Sequence, residues 1–273
     1  MNTTYRLCAI DLDDTLLNSH HVLSDANRKV VQKVAQMGVI VIIASGRMHE
    51  TTLPTVQALG LQTPVISYNG AMIRNPITGE TWLNETVPPE LADEIRAFAR
   101  ENRFQLNYYL DDHIYSAEHT PWMELYQQRT GAHFEILPDF YERLKGTAPT
   151  KLIIVTHPAT VQELLPIMQQ RYQGRLTVMR SNVEYLEFLP LNASKGKALA
   201  IVAERFQIPA EETIAIGDSW NDISMLQWAG LGVAVDNAKP EVKAVAKRTV
   251  PSCDEDGVAV ALNEIFQIKE NNT

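Results

Sequence analysis

The chain predicts an α/β fold: a doubly wound, Rossmann-like parallel sheet interrupted by an inserted α+β domain. Three observations predict it. Apolar runs at 5–10, 39–44 and 213–216 have the length and composition of strands buried on both faces. Segments with helical spacing of apolar residues separate them, the alternation that builds a parallel sheet. Between 84 and 188 the pattern changes to short hairpins mixed with helices, which belongs to a different kind of unit. The expected core is therefore 1–83 with 189–273, and 84–188 is the expected insertion.

The elements follow in order. Ser24 is a candidate N-cap, Val30, Val31, Val34 and Met37 follow at helical spacing, and Gly38 closes the helix. A second strand at 39–44 ends at Ser45-Gly46-Arg47, a helix runs to about Leu59, and a third strand at 64–67 leads into Tyr68-Asn69-Gly70-Ala71. A hairpin is expected at 73–83 around Pro76-Ile77-Thr78-Gly79. Within the insertion, helices are expected at 88–103, after Thr120-Pro121 and at 160–172. Hairpin strands are expected at 106–116 and 176–189, with a further strand at 151–156. The parallel pattern resumes with a helix from Lys195 to about Phe206. The strand 213–216 then ends at Gly217-Asp218-Ser219-Trp220-Asn221-Asp222. A helix, a strand at 232–235, a helix around 241–247 and a last helix from about Asp256 complete the chain.

The composition sets limits. A length of 273 residues suits one large domain or two smaller ones, and 45% apolar with 21% charged residues can bury a sizeable core. The net charge of -9 argues against nucleic acid and anionic membrane as partners. Two distant cysteines, Cys8 and Cys253, make no disulfide framework. No window approaches the roughly 20 apolar residues of a spanning helix, and the first residues lack a basic stretch followed by an apolar one. A cytoplasmic protein, monomeric or a weak homodimer, is expected.

The stretch 8–17 is where chemistry is expected. Asp11, Asp13 and Asp14 arrive where the first strand ends, and ligands of open α/β sheets sit beyond the carboxyl ends of strands. The strand period sends Asp11 and Asp13 to one side, with Leu12 turned the other way. Two carboxylates together repel unless a cation compensates, and for an all-oxygen site Mg2+ is the natural one. Ser45-Gly46-Arg47, Lys195 and Gly217–Asp222 share the same kind of position at strand ends or a helix start. Phosphoryl transfer through an aspartyl phosphate needs such a set: a carboxylate nucleophile, a carboxyl group that gives and takes a proton, a cation, and a lysine with neutral donors for the phosphate oxygens.

These four segments resemble, in order, the signature motifs of the haloacid dehalogenase superfamily in its phosphatase form. The insertion after Tyr68-Asn69-Gly70-Ala71 is similar to the cap of the Cof-like (type IIB) subfamily, which governs substrate specificity. The resemblance implies Asp11 as nucleophile and metal ligand, and Asp13 as general acid/base whose backbone carbonyl also ligates the metal. It further implies phosphate or substrate contacts from Leu12, Thr15, Ser45, Gly46, Arg47, Lys195 and Asn221, with Lys195 balancing charge on Asp11. Asp218 completes the metal site, Ser219 and Asp222 are counted with it as metal-site residues, and Asp222 acts through water or holds the loop. Arg47 is equally well read as an ion-pair partner of a nearby acid, and Trp220, at the variable position, as a bulky residue at the entrance. His20, His21 and His49 read as loop and helix-end residues, and no spacing supports zinc. The implied activity is Mg2+-dependent hydrolysis of a small phosphorylated metabolite, a sugar phosphate first. Two rivals use similar parts: a phosphomutase that returns the phosphoryl group to its substrate, and a non-enzymatic phospho-acceptor module of the response-regulator kind.

Overall fold

A computed structural model describes residues 5–268 and divides the chain into two compact units, Met1–Leu83 with Ser194–Thr273, and Asn84–Ala193. In the first unit, the strands Leu7–Ile10, Ile40–Ile43, Thr213–Gly217, Leu231–Val235 and Arg248–Val250 form a parallel sheet. Leu7–Ile10 is its pivot. It pairs with Ile40–Ile43 on one side and Thr213–Gly217 on the other, with Ile10 level with both Ile43 and Ile216. That register sets the ends of three strands side by side, so Asp11, the Ser45 turn and the Asp218 turn become neighbours. Leu7, Cys8, Ala9, Ile10, Ile42 and Ile216 are buried, as a strand covered on both faces requires.

The third predicted strand, Val65–Ser67, departs from the expected parallel ladder. It meets the large sheet through one parallel bridge, Ala44 to Ile66, and pairs antiparallel with Met72–Arg74, which leads on to Thr81–Asn84. The strand Arg248–Val250 was not expected at all. It is three residues long, sits at the sheet edge and opens on an arginine, so it carries no periodic signal.

The helices obey the local signals. Asp25–Gln36 starts at Ser24, whose side chain accepts from the Asn27 amide, and His49–Leu59 stops at Gly60 in the left-handed region. Lys195–Arg205 starts at Ser194, whose hydroxyl accepts from the Lys197 amide. Just before the Met72 strand, Tyr68, Asn69 and Gly70 all take positive φ. At Gly70 this turn runs so close to Ser194 that a Cβ would lie 2.3 Å from its carbonyl oxygen. Glycine there lets the turn press against the start of the helix that carries Lys195.

The second unit holds a six-stranded sheet built on Gln105–Leu110, His113–Ser116, Phe134–Ile136, Lys151–Val155, Leu176–Asn182 and Tyr185–Pro190. Alternate residues Leu106, Tyr108, Leu152, Ile154, Leu186 and Phe188 share an apolar cluster with Leu91, Ile95 and Val161 of the helices Pro89–Glu101 and Pro158–Arg171. The boundary expected after 188 falls inside Tyr185–Pro190, a strand hydrogen-bonded on both sides within this unit. The unit therefore extends to Ala193, and residues 189–193 leave the core to which the sequence assigned them.

Candidate active site

Lys195 is the centre of the site. It is fully buried, and its Nζ donates to Asp11 Oδ1 at 2.5 Å and to Asp222 Oδ1 at 2.6 Å. A lysine in the first turn of a helix opposes the helix dipole, and two carboxylates within hydrogen-bond reach offset that cost. Burial pulls its pKa down, but the charges of Asp11 and Asp222 outweigh this and hold it above the usual lysine value. Lys195 is therefore the fixed positive charge of the site.

Asp222 is fully buried and uses both oxygens locally. Oδ1 meets Lys195, and Oδ2 accepts from the amides of Asp218 and Ser219, each at 3.0 Å. Ser219 answers with its own hydroxyl, which accepts from the Asp222 amide to close a capping box. Both residues are thus occupied in shaping the turn, the role the sequence gave Asp222 as an alternative to metal contact.

Asp11 and Asp218 differ from Asp222. Asp11 gives one oxygen to Lys195, and Asp218 Oδ1 accepts from the buried hydroxyl of Thr15 at 3.0 Å, so each keeps a second oxygen. Carboxylate oxygens of Asp11, Asp218 and Asp222 lie within 4.8 Å of one another. Burial, then the charge of Asp222, raises the pKa of Asp11 well above the carboxylate range, and the same two causes push Asp218 up to about 7. Three carboxylates against one ammonium leave two negative charges unmatched when all are ionised. An all-oxygen donor set with that deficit fits a hard divalent cation.

Asp13 points elsewhere. Its carboxylate accepts from Arg47, Nε at 2.9 Å and Nη2 at 2.5 Å, and lies 3.2 Å from His21 Nδ1. Arg47 is here an ion-pair partner, the second of the two readings its sequence position allowed. His21 carried no signal in the sequence: its approach to Asp13 comes from the turn at Asn18, whose side chain accepts from the amides of His20 and Val22. Leu12 is fully buried in the apolar core, so any contact it makes with a phosphate must come from its backbone.

A second group of polar residues lies in the same unit. Ser45 is buried, and its hydroxyl accepts from the Arg47 amide at 3.1 Å. Gly46 lies against Asn69, whose Oδ1 would be 2.7 Å from a Cβ at that position. The same Asn69 oxygen accepts from Asn221 Nδ2 at 2.8 Å, tying the first half of the chain to the last. The sequence offered Asn69 only as part of an Asn-Gly turn, and its partner lies 152 positions away.

The residues 8–262 match the family model described as haloacid dehalogenase-like hydrolase. The chain belongs to that family. Phosphatase YwpJ of Bacillus subtilis is 31% identical over 96% of this chain and 100% of its own. A haloacid dehalogenase-like hydrolase from Bacteroides thetaiotaomicron superposes with a TM-score of 0.89 at 30% identity, over 96% of this chain and 100% of that one. The 5-amino-6-(5-phospho-D-ribitylamino)uracil phosphatase YitU of B. subtilis is 27% identical over 98% of this chain and 100% of its own. This haloacid dehalogenase-like protein is a Cof-like phosphatase, a phosphoric monoester hydrolase. Its buried carboxylates are able to hold a metal ion. Among the described residues no helix is long and apolar enough to cross a membrane.

Proposed function

We propose that this phosphatase hydrolyses a small phosphorylated metabolite, a sugar phosphate first, through an aspartyl phosphate on Asp11 with Mg2+ as its ion. The observation that supports it most is the buried cluster in which one ammonium, Lys195, serves Asp11 and Asp222 while Asp218 stands within the same 4.8 Å group. Asp11, Asp218 and the carbonyl of Asp13 would hold Mg2+, which when bound neutralises phosphate charge and permits a carboxylate to approach the anion. YitU supports a small substrate: its name gives a phosphate on a ribityl chain attached to uracil. The second unit, as a cap, would choose the leaving group and exclude water. A cytoplasmic enzyme without nucleic-acid or membrane partners, monomeric or weakly dimeric, agrees with a charge of -9.

The chemistry follows from the side chains. Asp11 attacks phosphorus with its second oxygen while Lys195 holds the first. The ester bond breaks, and Asp13, turned from Arg47 and carrying a proton, gives that proton to the departing alcohol. Asp13, now a carboxylate, removes a proton from water. That water attacks the aspartyl phosphate, releasing inorganic phosphate and restoring Asp11. Lys195, the Gly46 amide and the Ser45 hydroxyl steady the phosphoryl oxygens, while the Thr15 hydroxyl, which donates to Asp218, holds that carboxylate in place.

Two measurements test this reading. Asp13→Asn is expected to slow turnover by about 10²–10⁴-fold, with formation and hydrolysis of the phosphoenzyme both slowed in rapid-quench experiments on a hydrolysed sugar phosphate. An unchanged rate removes Asp13 as acid/base, and isomerised sugar phosphate in place of inorganic phosphate replaces hydrolysis with a mutase reaction. Thermal denaturation tests the ion independently. Asp218 has a folded pKa of about 7 against 3.8 unfolded, so its contribution to stability is lost as pH rises between them. An ion that binds the ionised site restores it. Millimolar Mg2+ should raise the Tm by about 5 °C at pH 8 and by much less at pH 5. No shift at pH 8 would count against the assigned ligands.

A further inference from the structure

Trp220 is the only aromatic residue among the described residues with exposed large apolar side chains, at 55% exposure. Trp82, Trp122 and Trp228 are all partly covered. Exposing an indole forgoes the burial that usually retains one. The turn around it holds itself together without that ring: Ser219 and Asp222 close the capping box, Asp222 ties Lys195, and Asn221 bonds Asn69. The ring instead meets a cation, with Lys239 Nζ 5.6 Å from its centroid. The Lys239 amide donates to the Asp218 carbonyl at 3.0 Å, so indole and ammonium are both fastened to the residue that bears a site carboxylate.

We propose that Trp220, steadied by Lys239, is a leaving-group subsite on which the flat face of a ring in the substrate stacks. The inference rests on the proposed hydrolysis of a small phosphorylated metabolite and narrows that class to ring-bearing esters. The reasoning is geometric. A phosphoryl group at Asp11 sits among buried carboxylates, so its alcohol must lie outside that cluster, and Trp220, two positions after Asp218, is the exposed aromatic ring on the turn that follows a site carboxylate. Two kinds of ring offer the required face, the C–H face of a pyranose and a planar heteroaromatic ring.

Three probes separate the possibilities: glucose 6-phosphate, pyridoxal 5′-phosphate and, as a ringless control, glycerol 3-phosphate. Trp220→Ala should raise KM and the calorimetric Kd for at least one ring-bearing probe by about tenfold, with kcat changed less than about twofold. Glycerol 3-phosphate should shift by less than about twofold in both. Trp220→Phe should recover most of the loss, since a ring face is restored. Loss confined to glucose 6-phosphate identifies the pyranose face as the partner, and loss confined to pyridoxal 5′-phosphate identifies the planar ring. Equal effects on all three probes, or none, overturn the subsite. Ring-dependent binding without turnover of any probe overturns the proposed activity and leaves the subsite standing. Neither binding dependence nor turnover overturns both.

Discussion

Asp11→Asn should lower kcat by at least about 10⁴-fold and leave the protein folded, with a Tm equal to or above that of the parent. Asparagine preserves shape and still offers Lys195 an oxygen acceptor, but its neutral amide cannot attack phosphorus. The stability side follows from the environment. Burial and the neighbouring Asp222 and Asp218 charges raise the Asp11 pKa, which means that its ionised form is held in the folded site at a cost. A neutral isostere removes that cost. The measurements are single-turnover kinetics with a hydrolysed phosphoester and a thermal melt of the same preparation. Retention of activity within about tenfold of the parent would remove Asp11 as nucleophile.

Lys195→Met should produce the largest loss of stability at any single position of the site. The ammonium is fully buried and contacts two carboxylates, so its removal leaves Asp11 and Asp222 without the cation that each one bonds. Breaking a buried ion pair from one side typically costs about 3–5 kcal/mol. For a chain of this size that corresponds to a fall in Tm on the order of 10 °C. The loss should shrink on lowering the pH to 5, because Asp11 and Asp218, whose pKa values burial raises, then take up protons and shed their repulsion. Activity should fall with it, since the same amine holds one oxygen of Asp11. A variant that melts and turns over like the parent would refute the central place given to this lysine.

The site was readable from the sequence wherever a residue sits directly after a buried strand. Asp11, Ser45 and Asp218 each follow an apolar run, and a parallel sheet leaves the ends of such runs next to one another. Lys195 was legible through its awkwardness, a cation at a helix start. What stayed hidden depends on closure of the fold over long separations. Arg47 reaches Asp13 across 34 positions and Asn221 reaches Asn69 across 152, and no local period records either contact. His21 finds Asp13 only because Asn18 bends the loop. The segment Phe134–Ile136 and the edge strand Arg248–Val250 escaped for a simpler reason: three residues are too few for an alternation to register.

The sheet order also has a consequence for synthesis of the chain. Arg6 and Glu212, which flank the ladder joining Leu7–Ile10 to Thr213–Gly217, are 206 positions apart. At typical translation rates the first strand waits on the order of ten seconds or more before that neighbour leaves the ribosome. Ile40–Ile43 emerges early and protects one flank, while the other flank stays an open apolar edge of the kind that chaperones shield. The nascent chain therefore carries Asp11 through most of elongation before Lys195 arrives to receive it.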